Sequence, residues 1–207
     1  WLKFKPSFSQ PAFKVFLSNK ALFGLSNADD MKVIRKESDQ FGFTHYRYQQ
    51  YYLGVPVEGA VYLLHEKNGK TNTGNGKLVT GLNLSANPAI TASDATQKAI
   101  AQVPAEVYAW QDSQSEQLLK GIRKNPDATY YPAAQLVVFD KTFSNNPSNY
   151  KLAWKTEVYS LKPLARKQIY IDANTGEVLH SINMIIHTEV PGTAVTCANE
   201  TQAVAID

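Results

Sequence analysis

The sequence predicts an α+β protein of two units, each one helix packed on a curved antiparallel sheet. Three observations predict it. At 207 residues the chain suits one large domain or two of about 100 residues each. Its apolar pattern runs helical, alternating, helical, alternating, so the same order occurs twice. Strong turn signals, Asn68-Gly69 and Asp172-Ala-Asn-Thr-Gly176, stand where antiparallel strands must fold back. Hydrophobic residues make up 43% and charged residues 19%, enough apolar material for a core.

Residues 10–24 read as the first helix. Ser9 is its expected cap, Pro11 lies in its first turn and Gly24 ends it. Phe13, Phe16, Leu17 and Leu22 are expected to share its inward face. Residues 31–37 and 44–53 alternate as strands. Gly54-Val-Pro-Val57 is expected to interrupt the ladder, because Pro56 has no N–H to donate. Residues 58–67 form the next strand and enter the Asn-Gly turn.

A loop at Asn87-Pro88 marks the boundary between the units. Thr91 opens a second helix, with Asp94 an imperfect partner in its capping box, and the helix stops at Pro104. Residues 111–129 form a polar stretch holding both Gly and Pro. Strands are expected at 133–139, 150–159, 167–171 and 177–182. No residue-level repeat links the two halves.

Composition excludes several classes. No apolar run approaches the roughly 20 residues of a membrane-spanning helix. Lys plus Arg is 21 against 18 Asp plus Glu, a net charge of +3, and the basic residues are scattered along the chain, which argues against a nucleic-acid groove. Cys197 is the only cysteine, so neither an internal disulfide nor a Cys-rich zinc site is expected. The chain opens at Trp1 without a leader and reads as a fragment or a processed piece.

No catalytic constellation emerges. His65-Glu66 starts like H-E-x-x-H, but Gly69 holds the place of the second His and an Asn-Gly turn replaces the helix. Gly69-Lys70-Thr71 lacks the earlier Gly of a phosphate loop, where Leu64 stands. Asp172 and Asn174 begin like a calcium loop, but Gly176 holds the third acidic position and no bidentate Glu closes it. The four histidines, His45, His65, His180 and His187, form no i,i+4 pair on a helix. The tyrosines around Arg47 fit a sheet core better than a stacking platform. These residues alone point to a binding, inhibitory or scaffolding protein.

Residues 43–59, Phe-Thr-His-Tyr-Arg-Tyr-Gln-Gln-Tyr-Tyr-Leu-Gly-Val-Pro-Val-Glu-Gly, resemble the central motif of the fungalysin/thermolysin propeptide domain. Gln49, Tyr51, Gly54, Val55, Pro56, Val57 and Gly59 match it in order, and Asn75-Gly76 fits its downstream Asn-Gly. The second half resembles a PepSY domain, through Leu152-Ala-Trp-Lys155 and the hairpin around Asp172, Asn174, Gly176 and Glu177. Residues 187–196 are similar to the junction leading into a catalytic domain in bacterial thermolysin-like precursors. After Thr196, only Thr201-Gln202 keeps the expected ending.

The resemblance implies a propeptide-type domain over 1–88, a cystatin-like PepSY-type domain over 89–187 and a junction tail over 188–207. It implies a secreted bacterial pro-region that acts as intramolecular chaperone and autoinhibitor of a zinc metalloendopeptidase. The chain itself would be no enzyme and hold no cofactor, while the parent catalytic domain would carry zinc and calcium. The partner would be that domain, with no nucleic acid and no membrane. Ile185, Ile186, His187, Thr188 and Glu189 are the segment expected in the active-site cleft. The alternative is a free-standing extracellular PepSY module that binds or inhibits. A junction tail is the feature such a module does not need. The tail, rich in strand formers at 193–197 and 201–206, is expected to be extended and to add to an exposed sheet edge, in this molecule or in a neighbouring one by strand exchange.

Overall fold

The computed structural model describes residues 1–185, and the backbone alone of 190–195 and 201–206. The chain runs β1 (Leu2–Lys3), α1 (Ala12–Ser18), β2 (Asp29–Ser38), β3 (Phe43–Tyr52), β4 (Val55–Lys67), β5 (Lys70–Gly76), α2 (Ala92–Ala101), β6 (Val107–Tyr108), α3 (Ser113–Arg123), β7 (Gln135–Asp140), β8 (Tyr150–Lys162), β9 (Leu164–Asp172), β10 (Val178–Asn183), β11 (Val190–Val195) and β12 (Thr201–Ile206). This is an α+β fold with few helices and a mostly antiparallel sheet. Strands β1 to β10 form one sheet along the path β1-β5-β4-β7-β8-β9-β10, with β2 and β3 joining through β4 and β6 pairing β8. Its one parallel pairing is Val57 of β4 with Val138 of β7.

Helix α1 corrects the expected capping and the expected face. Pro11, not Ser9, holds the N-cap position and makes no side-chain cap. The first N–H, from Ala12, is met by the Glu66 carboxylate at 2.7 Å. Ala12, Val15 and Phe16 turn inward, while Phe13, Leu17 and Leu22 are exposed. The reason is length. Seven residues make two turns, a 3-10 turn over Lys20–Phe23 follows, and the phase of a longer helix is lost. Phe16 meets Tyr48 and Tyr62 edge-on, at 5.0 and 5.8 Å between centroids. Gly24 ends the segment as expected, at φ +66°.

Pro56 also departs from expectation. It lies inside β4, whose ladder begins at Val55. Leu53 and Gly54, both at positive φ, make a two-residue turn that Tyr52 and Val55 close. The next pair, Tyr51 with Pro56, is therefore of the non-hydrogen-bonded kind, and Pro56 owes β3 no N–H.

The Asn68-Gly69 turn is present at φ +52° and +72°, and β5 returns from it. Thr91 and Asp94 form a complete capping box, not an imperfect one. Helix α2 presses Ala95 and Ala99 onto Val158, Ile169 and Ile171. The polar stretch of 111–129 contains α3, so the second half has two helices, not one. Asp112 caps α3 through the Ser115 N–H at 2.8 Å, and Leu119 is its one buried residue. Its apolar residues are few, Leu118, Leu119 and Ile122 in the last two turns, and helix-forming Gln, Glu and Lys fill most of the rest. Strands β11 and β12 are extended as expected, but they pair with each other rather than with an edge of the main sheet.

Candidate functional site

The matched motif residues gather where β4 passes between the two halves of the sheet. Gln49 pairs with Val61 and Tyr51 with Pro56, so Gln50 alone stands against Val57 through Ala60. The surplus residues bulge away from β3, and β4 extends past the end of β5. That free stretch reaches β7 through Val57. Gly59 turns the bulge at φ +73°, where an L side chain is strained although no atom crowds the site.

A bulge strands carbonyls that a ladder would have satisfied. Gln49 answers this: its amide N–H groups are shared among the carbonyls of Gln50, Val57 and Ala60, at 3.0, 2.6 and 3.2 Å. Gln50 is fully buried. It donates to Asp29 Oδ1 at 2.8 Å and Val79 O at 2.7 Å, and accepts from Val79 N–H at 2.8 Å. Gly76 lets β5 end against β4, since a Cβ there would lie 2.3 Å from Val61 O.

Around this joint the core mixes both halves. Tyr52, Val55, Val57, Ala60, Val79 and Leu82 pack with Val138, Tyr150, Leu152 and Ala173. Glu58, on the bulge, accepts from Lys155 Nζ at 2.7 Å and from the Tyr170 hydroxyl at 3.3 Å. Burial raises the Tyr170 pKa, and the nearby Glu58 charge raises it further. Tyr51 is half-buried, with Lys32 Nζ 4.3 Å from its ring centroid.

The second motif is local. Asp172 Oδ1 accepts the N–H groups of Asn174 and Thr175 at 2.9 and 3.1 Å, and Lys151 Nζ lies 3.0 Å from Oδ2. Burial would raise this carboxyl's pKa, but those donors outweigh it and hold the pKa below its ordinary value. Gly176 closes the turn at φ +76°, and the Asp172 N–H reaches Glu177 O at 2.8 Å. One carboxylate oxygen is spent on its own turn and the other on Lys151, which matches the hairpin reading.

Of the cleft segment, Ile185 is described, while Ile186, His187, Thr188 and Glu189 lie outside the described residues, as does Cys197. The structure brings together one pair that sequence spacing missed. His45 and His65 are opposite each other on β3 and β4, with their Nδ1 atoms 2.6 Å apart. Asp39 approaches His45 Nε2 at 3.2 Å and Asn75 Oδ1 lies 2.9 Å from His65 Nε2. Cross-strand register was the signal that could have found them. Among the described residues, no three His, Cys, Asp or Glu side chains are grouped to hold a metal ion. Among them, too, no helix is long and apolar enough to cross a membrane.

Residues 29–78 match the Fungalysin/Thermolysin Propeptide Motif. The chain carries this propeptide motif. The matched region runs from Asp29, the partner of Gln50, through the bulge and past Gly76 to Leu78. The whole chain is similar to bacillolysin of Bacillus amyloliquefaciens, 26% identical over 210 residues, covering 97% of this chain and 36% of that protein. It is also similar to thermolysin of Alicyclobacillus acidocaldarius subsp. acidocaldarius, 30% identical over 156 residues, covering 75% of this chain and 26% of that protein. The chain thus spans about a third of the length of the bacillolysins it matches. Its resemblance to thermolysin-like metallopeptidase pro-regions therefore holds. A solved structure, the Bacillus megaterium YpeB C-terminal domain, aligns with 77% of this chain and 58% of that one at 12% identity. The TM-score is 0.36, a likeness too slight to bear on this fold.

Proposed function

We propose that the chain is the pro-region of a secreted thermolysin-like zinc metalloendopeptidase, serving as intramolecular chaperone and autoinhibitor of the catalytic domain. The observation that carries this reading is the propeptide motif at residues 29–78, within an alignment that runs along nearly the whole chain. Residues 1–88 form the propeptide-type unit, 89–187 a cystatin-like PepSY-type unit and 188–207 the junction tail. The partner is the catalytic domain, which holds zinc and calcium; this chain supplies no catalytic group.

Physical reasoning supports the pairing of the two roles. A chaperone that lowers a folding barrier must bind a native-like surface, so it also binds the finished enzyme. A covalent tether keeps an inhibitory segment at an effective concentration of order mM. The segment Ile185–Glu189 enters the active-site cleft, its two isoleucines filling apolar pockets.

The test adds this chain to the separately produced catalytic domain of its own precursor. Denatured catalytic domain should recover activity only when refolded with the chain, and the native enzyme should be inhibited stoichiometrically. Removal of residues 185–207 should raise the inhibition constant while leaving the cooperative unfolding of the main sheet intact. Refolding and activity indifferent to the chain would overturn the proposal.

A further inference from the structure

We propose that a pocket at the β1–β5 edge docks an acidic peptide segment, anchored by an apolar side chain, of a protein partner. The pocket holds about 420 Å³ and is walled by Phe4, Phe8 and Phe43, with Lys3, Lys5 and Lys70 at its rim. That volume lies within the range of about 300–1,000 Å³ usual for ligand sites. A fourth cation, Lys67, stands over the Phe43 ring, 4.7 Å from its centroid.

Charge selects the occupant. No carboxylate lines the pocket. Among the described residues, none of these four lysines is in an ion pair. Lys67 and Lys70 are directly opposite in the β4–β5 register, where like charges are destabilising. The nearby acids are engaged elsewhere. Glu66 caps α1, and Asp39 accepts from the Phe41 and Phe43 N–H groups at 2.9 Å each. An anionic partner relieves the repulsion, and steering by such a cluster raises its encounter rate.

The walls favour a peptide over a nucleic acid. Phe4 and Phe8 stack on each other at 4.6 Å, and Phe43 is stacked by His45 at 6.3 Å as well as covered by Lys67. Ring faces already used in this way leave little platform for bases, whereas the apolar floor takes an aliphatic or aromatic side chain. The proposal does not depend on the propeptide reading.

The experiment uses the full chain and a labelled, N-acetylated peptide, Asp-Glu-Leu-Phe-Asp-Glu, in a fluorescence anisotropy titration at low salt. Binding should saturate and weaken roughly tenfold as salt is raised past the point where exposed charges are screened. The double variant Lys67→Glu/Lys70→Glu should weaken it at least tenfold, and Lys3→Glu/Lys5→Glu should do the same from the other side of the pocket. Lys3, Lys5 and Lys70 are exposed and Lys67 is half-buried, and circular dichroism checks that both variants fold. The proposal is overturned by absence of saturable binding, or by variants that bind equally well. It fails equally if a peptide with lysines for the acids binds as tightly, if inorganic phosphate competes as well as the peptide, or if oligo-dT binds more tightly.

Discussion

The bulge of β4 and the turn after β9 solve one problem at different ranges. Each leaves backbone groups that the ladder does not satisfy. At residues 172–176 the turn's own first residue supplies the acceptor, two and three positions away. At residues 57–60 the donor comes from Gln49 on the neighbouring strand, eight and eleven positions away. The first device works wherever the segment is placed. The second exists only once β3 and β4 are in register, so it couples the shape of β4 to the sheet and lets Val57 reach β7.

The largest expected effect is at Gln50, which holds the segment around Val79 beneath the bulge. Gln50→Leu should destabilise the chain by about 3 kcal/mol, because Asp29 and both backbone groups of Val79 lose buried partners. Denaturant unfolding measures it. A loss under about 1 kcal/mol would mean that the bulge does not depend on this network.

Gln49→Ala should cost about 2 kcal/mol by leaving the Val57 and Ala60 carbonyls short of donors. Hydrogen exchange should rise at the β4–β7 contact and stay unchanged at the 172–176 turn. Equal increases at both places would dissolve the contrast between the two regions.

Asp172→Asn should cost only about 1 kcal/mol at neutral pH, since the amide oxygen still accepts from the turn. Here pH gives a second readout. The folded pKa of Asp172 is depressed below the usual value near 4, so its stabilisation is present above that value and lost as pH falls through the folded pKa. The gap between wild type and variant, measured by thermal unfolding, should narrow from pH 7 towards pH 3. A gap that widens on acidification would reverse the assignment.

The smallest effect belongs to Tyr48, on the same strand as the two glutamines. Its hydroxyl is buried without a partner, and burial raises its pKa. Tyr48→Phe should change stability by less than about 0.5 kcal/mol, or increase it, because no hydrogen bond is lost. A cost near that of Gln49→Ala would show that the hydroxyl does have a hydrogen-bond partner.

The sequence by itself determined what is local. Turn residues at 68–69 and 172–176, the Thr91 cap and the alternating strands all express short-range preferences of the backbone, and they lie where the pattern predicts. The motif residues Gln49, Gly54, Pro56 and Gly59 were legible as a set, but not as the parts of a bulge. Helix α3 stayed hidden because its apolar residues, Leu118, Leu119 and Ile122, are confined to its last two turns within a polar stretch, while its Asp112 cap and the Glu116 contact to Tyr130 hold the rest. The face of α1 was misjudged because a 3-10 turn broke the period. What only the tertiary structure decided depends on register between distant strands. Register makes Gln49 a partner for Val57 and sets His45 beside His65. It also helps gather lysines scattered along the chain into one pocket. No window along the sequence contains that information, because strand pairing brings together residues that many others separate.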